Sequence, residues 1–277
     1  MRLRKSDRPL RGLLRCLASI TLGILGFAFG IGAAHAGGAP LAELHVYAGS
    51  QEGNSGEIGL RAAEAAFWPT SHDRVAVRYD NSLSQDNAQL ARLGINAEAY
   101  FLSYLHDFDG RVLLFGEVGT RSLPTGQDQS IYKSEGVFLK NNRAAKIGLQ
   151  LSDTRANLTS YNDTLVYALY NLPAGQHWRL EPQVYLSQSG TNRDREWRAA
   201  GYAEYNAAKK WQLGVGAGYG EVDSILPGVS GEVFNVHAQV SLPIRNHRVH
   251  FQVRYEEAPT SRFTVGLIGV SLRFDRK

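Results

Sequence analysis

Two runs concentrate the side chains that could do chemistry. Arg78-Tyr79-Asp80-Asn81-Ser82-Leu83-Ser84-Gln85-Asp86-Asn87 mixes both signs of charge with amides and hydroxyls. Glu117-Val118-Gly119-Thr120-Arg121-Ser122-Leu123-Pro124-Thr125-Gly126-Gln127-Asp128-Gln129 repeats the mixture. Arg78, Asp80, Glu117 and Arg121 fall on one face of a period-two alternation, and with Asn81, Asp128 and the later Arg254 they make up the candidate site. Opposed charges in the mouth of a barrel set an ion or sugar preference. The competing role is a salt-bridge network that fills the barrel, which the usual polarity of barrel interiors favours.

Acyl-transfer chemistry would need a Ser with a His base in reach and a third group to orient it. After residue 36 the histidines are His45, His72, His106, His177, His237, His247 and His250, and the His-x-Ser-Asn-Gly pattern of outer-membrane phospholipases does not occur. His72, His106, His177 and His247 fall at or beside short turns. His247 and His250 are spaced to point to opposite faces of a strand, a poor arrangement for joint metal ligation. The expectation is a protein with no catalytic residue, no cofactor and no metal.

The elements that position these residues are strands. Val75, Val77 and Tyr79 alternate with Ala76, Arg78 and Asp80; Val249, Phe251, Val253 and Tyr255 alternate with Arg248, His250, Gln252 and Arg254. The same alternation predicts fourteen strands (12–16 allowing for boundaries): 41–49, 56–68, 74–83, 95–107, 111–121, 131–140, 143–153, 161–171, 177–188, 196–206, 210–220, 232–242, 247–256 and 262–275. Connections after even strands are short, as at Asn141-Asn142. Most of those after odd strands are longer and polar, as at Gly49–Ser55 and Ser84–Gly94. An even strand count with short turns at one end and long loops at the other indicates an all-β, closed antiparallel transmembrane barrel with periplasmic turns and extracellular loops. Aromatics gather near both strand ends, among them Trp68, Trp178 and Trp211 at the turns and Trp197, Tyr219 and Tyr255 at the loops, as two bilayer interfaces select.

Residues 1–36 read as a signal peptide. Arg2, Arg4, Lys5, Arg8, Arg11 and Arg15 precede an apolar run from Leu17 to Ala34, which ends in Ala34-His35-Ala36. The full chain of 277 residues has a formal charge of +4, but residues 37–277, the barrel, hold 24 basic against 25 acidic residues and no Cys. The basic balance therefore belongs to the address, and nucleic acid is excluded as the partner it first suggests. Expected partners are outer-membrane lipid, the barrel-assembly machinery and a possible periplasmic protein.

The two polar runs also resemble the YaiO-like family of outer-membrane β-barrel proteins, through Arg-Tyr-Asp-Asn-Ser-Leu-Ser-x-Asp-Asn and Arg-x-Leu-Pro-x-Gly-x-Asp-Gln. The resemblance implies an outer-membrane barrel and no catalytic residues. Some members carry a periplasmic helical-repeat segment, as exopolysaccharide exporters do. Here about four residues separate Ala36 from the first strand, so export would need a separate periplasmic component. The expected function is a porin-like channel for small polar solutes, with inward glycines of the eleventh strand leaving room for a pore. An accessory role in polysaccharide export or surface assembly comes second, and a lipid-modifying enzyme last.

Overall fold

The computed structural model describes residues 40–275 except 55, 82–96, 124–125, 142, 156–159, 191–192, 208–210 and 227. The expected signal peptide, Ser82 to Asn87 of the first polar run and Pro124-Thr125 of the second lie outside the described residues.

Fourteen strands close into one antiparallel barrel: β1 (Ala42–Gly53), β2 (Gly56–Phe67), β3 (Asp73–Asp80), β4 (Glu98–Phe108), β5 (Val112–Ser122), β6 (Asp128–Lys140), β7 (Arg143–Arg155), β8 (Ser160–Ala174), β9 (Trp178–Gln188), β10 (Arg195–Ala207), β11 (Trp211–Asp223), β12 (Gly231–Ile244), β13 (His247–Ala258) and β14 (Ser261–Phe274). Each strand pairs with its sequence neighbours, and β1 closes on β14 from Ala42↔Phe274 to Gly53↔Phe263. Closure pairs the backbone polar groups of both edges, which hydrocarbon would otherwise leave without partners. Asn141 (φ 50°) follows β6, and Arg245 (φ 57°) opens the two-residue turn after β12. A positive φ there matches the twist of tight hairpins.

Two connections differ from expectation. The expected Gly49–Ser55 loop is shorter, because Ser50 to Gly53 pair with β2 on one side and β14 on the other. In the other direction, β3 stops at Asp80 rather than 83. There the Asn81 amide N–H donates to the Arg61 carbonyl (2.9 Å) and its side-chain oxygen accepts the Arg61 N–H (2.5 Å). The β2–β3 ladder accordingly covers only Ala62–Phe67.

Through most of the wall, apolar side chains such as Val77, Leu102, Ile147, Leu186 and Val253 are exposed outward. Inward positions are polar. Toward the loop end this pattern inverts. Ile58 and Leu60 cluster inside with Phe263, Val265 and Leu267; Ala99 and Phe101 with Ile131; Val222 and Val233 with Ala258. On the outer face at the same ends stand exposed Glu52, Glu57, Glu98, Asp128, Glu221, Asp223, Glu232 and Arg262.

Candidate functional site

Period two on β3 and β5 turns Arg78, Asp80, Glu117 and Arg121 inward, and all four are buried. The Arg78 guanidinium reaches Glu117 at 3.0 Å and Asp80 at 3.4 Å. It also lies over the Phe101 ring, 4.1 Å from the centroid. That ring covers Gly119, where a Cβ would come within 2.2 Å of it. Glycine floor, ring, cation and carboxylates thus stack from the wall inward, and the aromatic face and the carboxylates hold the guanidinium in one place. Arg121 donates to Gln129 Oε1 (3.0 Å), and Gln129 Nε2 donates to Thr154 Oγ1 (3.0 Å).

The other expected site residues lie apart from this group. Asn81 is buried at the end of the β2–β3 ladder, held to Arg61. Arg254 faces inward on β13 and pairs with Glu256, which also receives a bidentate clasp from Arg198 with both bonds at 2.9 Å. Asp128 is corrected. It points outward, exposed, and accepts a bond from Ser122 Oγ at 3.0 Å. β6 begins at Asp128 rather than 131, and alternation from there sends Gln129, Ile131 and Lys133 inward and leaves Asp128 outside.

Two charge clusters lie outside the sequence expectation except for Arg254, which belongs to the second. On β6 and β7, Glu135 takes Lys133 (3.1 Å) and Lys146 (2.6 Å) and accepts the Tyr167 hydroxyl, while the Tyr167 ring covers Gly148. On β10 and β13, Arg198, Glu196, Arg254 and Glu256 interlock, with Glu256 fully buried. Reading every inward position of β6, β7, β10 and β13 would have named these charged residues. It would not have paired them, because Arg198 reaches past β11 and β12 to find Glu256 on β13.

The β11 glycines permit that reach, and they do not leave open space as expected. A Cβ at Gly214 would strike the Tyr202 hydroxyl at 1.8 Å, and one at Gly216 the His237 ring at 2.2 Å. One at Gly220 would strike the Trp197 carbonyl oxygen at 1.9 Å. Side chains from β10 and β12 lie over the strand, with Tyr202 stacked on His237 at 5.3 Å.

A hydrogen-bonded chain crosses the barrel's closing seam. Ser241 Oγ meets His250 Nδ1, His250 Nε2 meets Ser271 Oγ, and Ser271 Oγ meets His45 Nδ1, each at 2.8 Å; His45 Nε2 lies 3.4 Å from Glu43. Sequence reasoning missed it because its members come from β12, β13, β14 and β1. The grouping has the residue types of a nucleophilic triad, but Ser271 is also within hydrogen-bond reach of Tyr47. Three partners use the one proton and two lone pairs of its hydroxyl. The arrangement suits a polar clip across the seam better than an attacking oxygen.

Among solved structures the chain is similar to a protein described as a bacterial polysaccharide outer membrane secretin (TM-score 0.60, 12% identity, 85% of this chain and 99% of that one). It is also similar to the CymD monoaromatic hydrocarbon channel (0.54, 9%, 87% and 89%). A third is an outer membrane channel from Pseudomonas putida F1 (0.51, 12%, 86% and 96%). At such identities the likeness is one of fold, that of outer-membrane β-barrels. No family model and no curated protein matches the chain.

Proposed function

We propose that this chain is an outer-membrane, non-enzymatic, porin-like channel for small polar solutes. On this reading it is exported by a signal peptide cleaved near Ala36 and inserted by the barrel-assembly machinery into outer-membrane lipid. The observation that carries the reading is the lining of inward charge pairs, Arg78–Glu117, Lys146–Glu135 and Arg198–Glu256, on a closed fourteen-strand barrel. Barrels of 16–18 strands hold aqueous channels and those of about 8 are filled by side chains, so fourteen suits a narrow path. Arg78, Asp80, Glu117 and Arg121, with Asn81 at their edge, are its selectivity residues, and Arg254 belongs to a second charged layer.

Reconstitution in a planar bilayer tests this. Discrete open-channel steps are expected, with an ion preference that moves toward cations in Arg78→Gln. A silent bilayer with correctly folded protein would sink the channel reading. The second reading is an accessory role in polysaccharide export with a separate periplasmic component. It is favoured by the likeness to the polysaccharide secretin and by the resemblance to the YaiO-like family. A silent barrel that co-purifies with a periplasmic protein would support it.

A further inference from the structure

The lipid-facing side of β2 to β6 is hollowed. One depression of about 750 Å³ is lined by apolar groups that include Ala63, Ala65, Val77 and Tyr100. A second of about 380 Å³ lies over Gly116 and Ser134. The two meet at Leu102, Val118 and Tyr132, which line both. Inner glycines such as Gly119, Gly148 and Gly216 are covered by neighbouring rings, whereas a Cβ on Gly116 would meet nothing within 4 Å. The space above it is open to whatever surrounds the barrel.

Arg61 stands at the loop-side end of this hollow. Going up the outer face of β2, Phe67, Ala65 and Ala63 are followed by Arg61, Gly59 and Glu57, so Arg61 is the first charge met on leaving the apolar band. It is exposed, and its guanidinium has no ion-pair or hydrogen-bond partner among the described residues. Its backbone is fixed on both sides of the peptide by Asn81. The Tyr79 hydroxyl, beside it, donates to Glu98 at 3.3 Å. An exposed guanidinium on a backbone held by Asn81, without an ion-pair or hydrogen-bond partner among the described residues, at the level where the wall's polarity inverts and above an apolar hollow, is complementary to a phosphate carried on acyl chains.

We propose that this face binds a phosphorylated glycolipid of the outer leaflet, with its phosphate on Arg61 and one acyl chain in the hollow over Ala63, Ala65 and Gly116. A second barrel would bring its own apolar band to the hollow and leave Arg61 without a partner. The proposal rests on the outer-membrane placement given above and is independent of conduction.

Folded full-length protein, purified in detergent and offered lipopolysaccharide or phosphatidylglycerol, provides the test through native mass spectrometry. The wild type is expected to retain one lipopolysaccharide. Arg61→Ala is expected to lower the retained fraction about tenfold, the scale of a charge-assisted hydrogen bond, and Arg61→Lys to recover part of it. Ala65→Trp and Gly116→Leu, two independent ways of filling the hollow, are expected to lower it while the heat-modifiable gel shift stays intact. Undiminished retention in Arg61→Ala, or in both filled variants, overturns the site, as does a mass shift of a second protein chain in place of lipid. Equal retention of phosphatidylglycerol overturns the choice of glycolipid. Bilayer conductance of Arg61→Ala equal to wild type is expected, which keeps this result separate from the channel reading.

Discussion

On β13 the outward residues are Val249, Phe251, Val253 and Tyr255, with Arg248, His250, Gln252, Arg254 and Glu256 facing in; one step further, Glu257 faces out and Ala258 faces in. β11 does the same, from outward Trp211, Leu213, Val215 and Ala217 to Glu221 and Asp223, with Val222 turned inside. The turn-side and middle stretches of the wall are thus apolar outside and polar inside, while the loop-side end is charged outside and apolar inside. The first arrangement suits hydrocarbon against a polar interior. The second suits water against a small packed core, as in any soluble sheet. The difference marks where the bilayer ends. Tyr79, Trp197, Tyr219 and Tyr255 stand at that boundary, each bonded to an outward carboxylate: Glu98, Glu221, Glu232 and Glu257 respectively.

The strongest way to break the lower arrangement is from inside. Glu256→Ala removes a fully buried carboxylate that holds Arg198 and Arg254. Leaving buried guanidinium groups without it costs about 3–5 kcal/mol, read as a lower urea midpoint in lipid vesicles. A change below about 1 kcal/mol would mean that water compensates these charges. The next effect comes from outside and sharpens the boundary itself. Val253→Arg puts a charge in the apolar band and is expected to cost about 2–4 kcal/mol, whereas Thr264→Arg, at the boundary beside Tyr255, costs about 0–1 kcal/mol. Equal costs at the two positions would remove the boundary from where the polarity places it.

The same boundary explains what could be read from sequence and what could not. All fourteen strands are legible where lipid enforces alternation, and Val75–Tyr79 or Val249–Tyr255 announce themselves. Ser50-Gln51-Glu52 reads as loop in the sequence because it lies above the inversion, where outward polar residues hide the period. The start of β6 at Asp128 is hidden for the same reason, so the period does not reveal that Asp128 faces out. The inward facing of Arg78, Asp80, Glu117 and Arg121 followed from period two alone. Their partners did not, because contacts across the barrel depend on which inward glycines leave a path. Gly119 beneath Phe101 and Gly220 beneath Arg198 are such positions, and nothing local in the sequence marks them.

The smallest effects separate satisfied from unsatisfied polar groups within the lower region. Ser271→Ala removes the oxygen between His45 and His250 and leaves two imidazole nitrogens without it, at a cost of about 1–3 kcal/mol. Gln252, on the same inner face, is buried between Gln239 on β12 and Leu267 on β14, and its side-chain oxygen has no hydrogen-bond partner among the described residues. Gln252→Leu deletes a polar group that has already lost its water and extends the Val265–Leu267 surface, so stability is expected to stay within about 0.5 kcal/mol of wild type or rise. If Gln252→Leu instead cost as much as Ser271→Ala, measured by urea unfolding in the same vesicles, the Gln252 oxygen would have to hold a partner in the folded barrel. The lining would then be polar by necessity at that position rather than by tolerance.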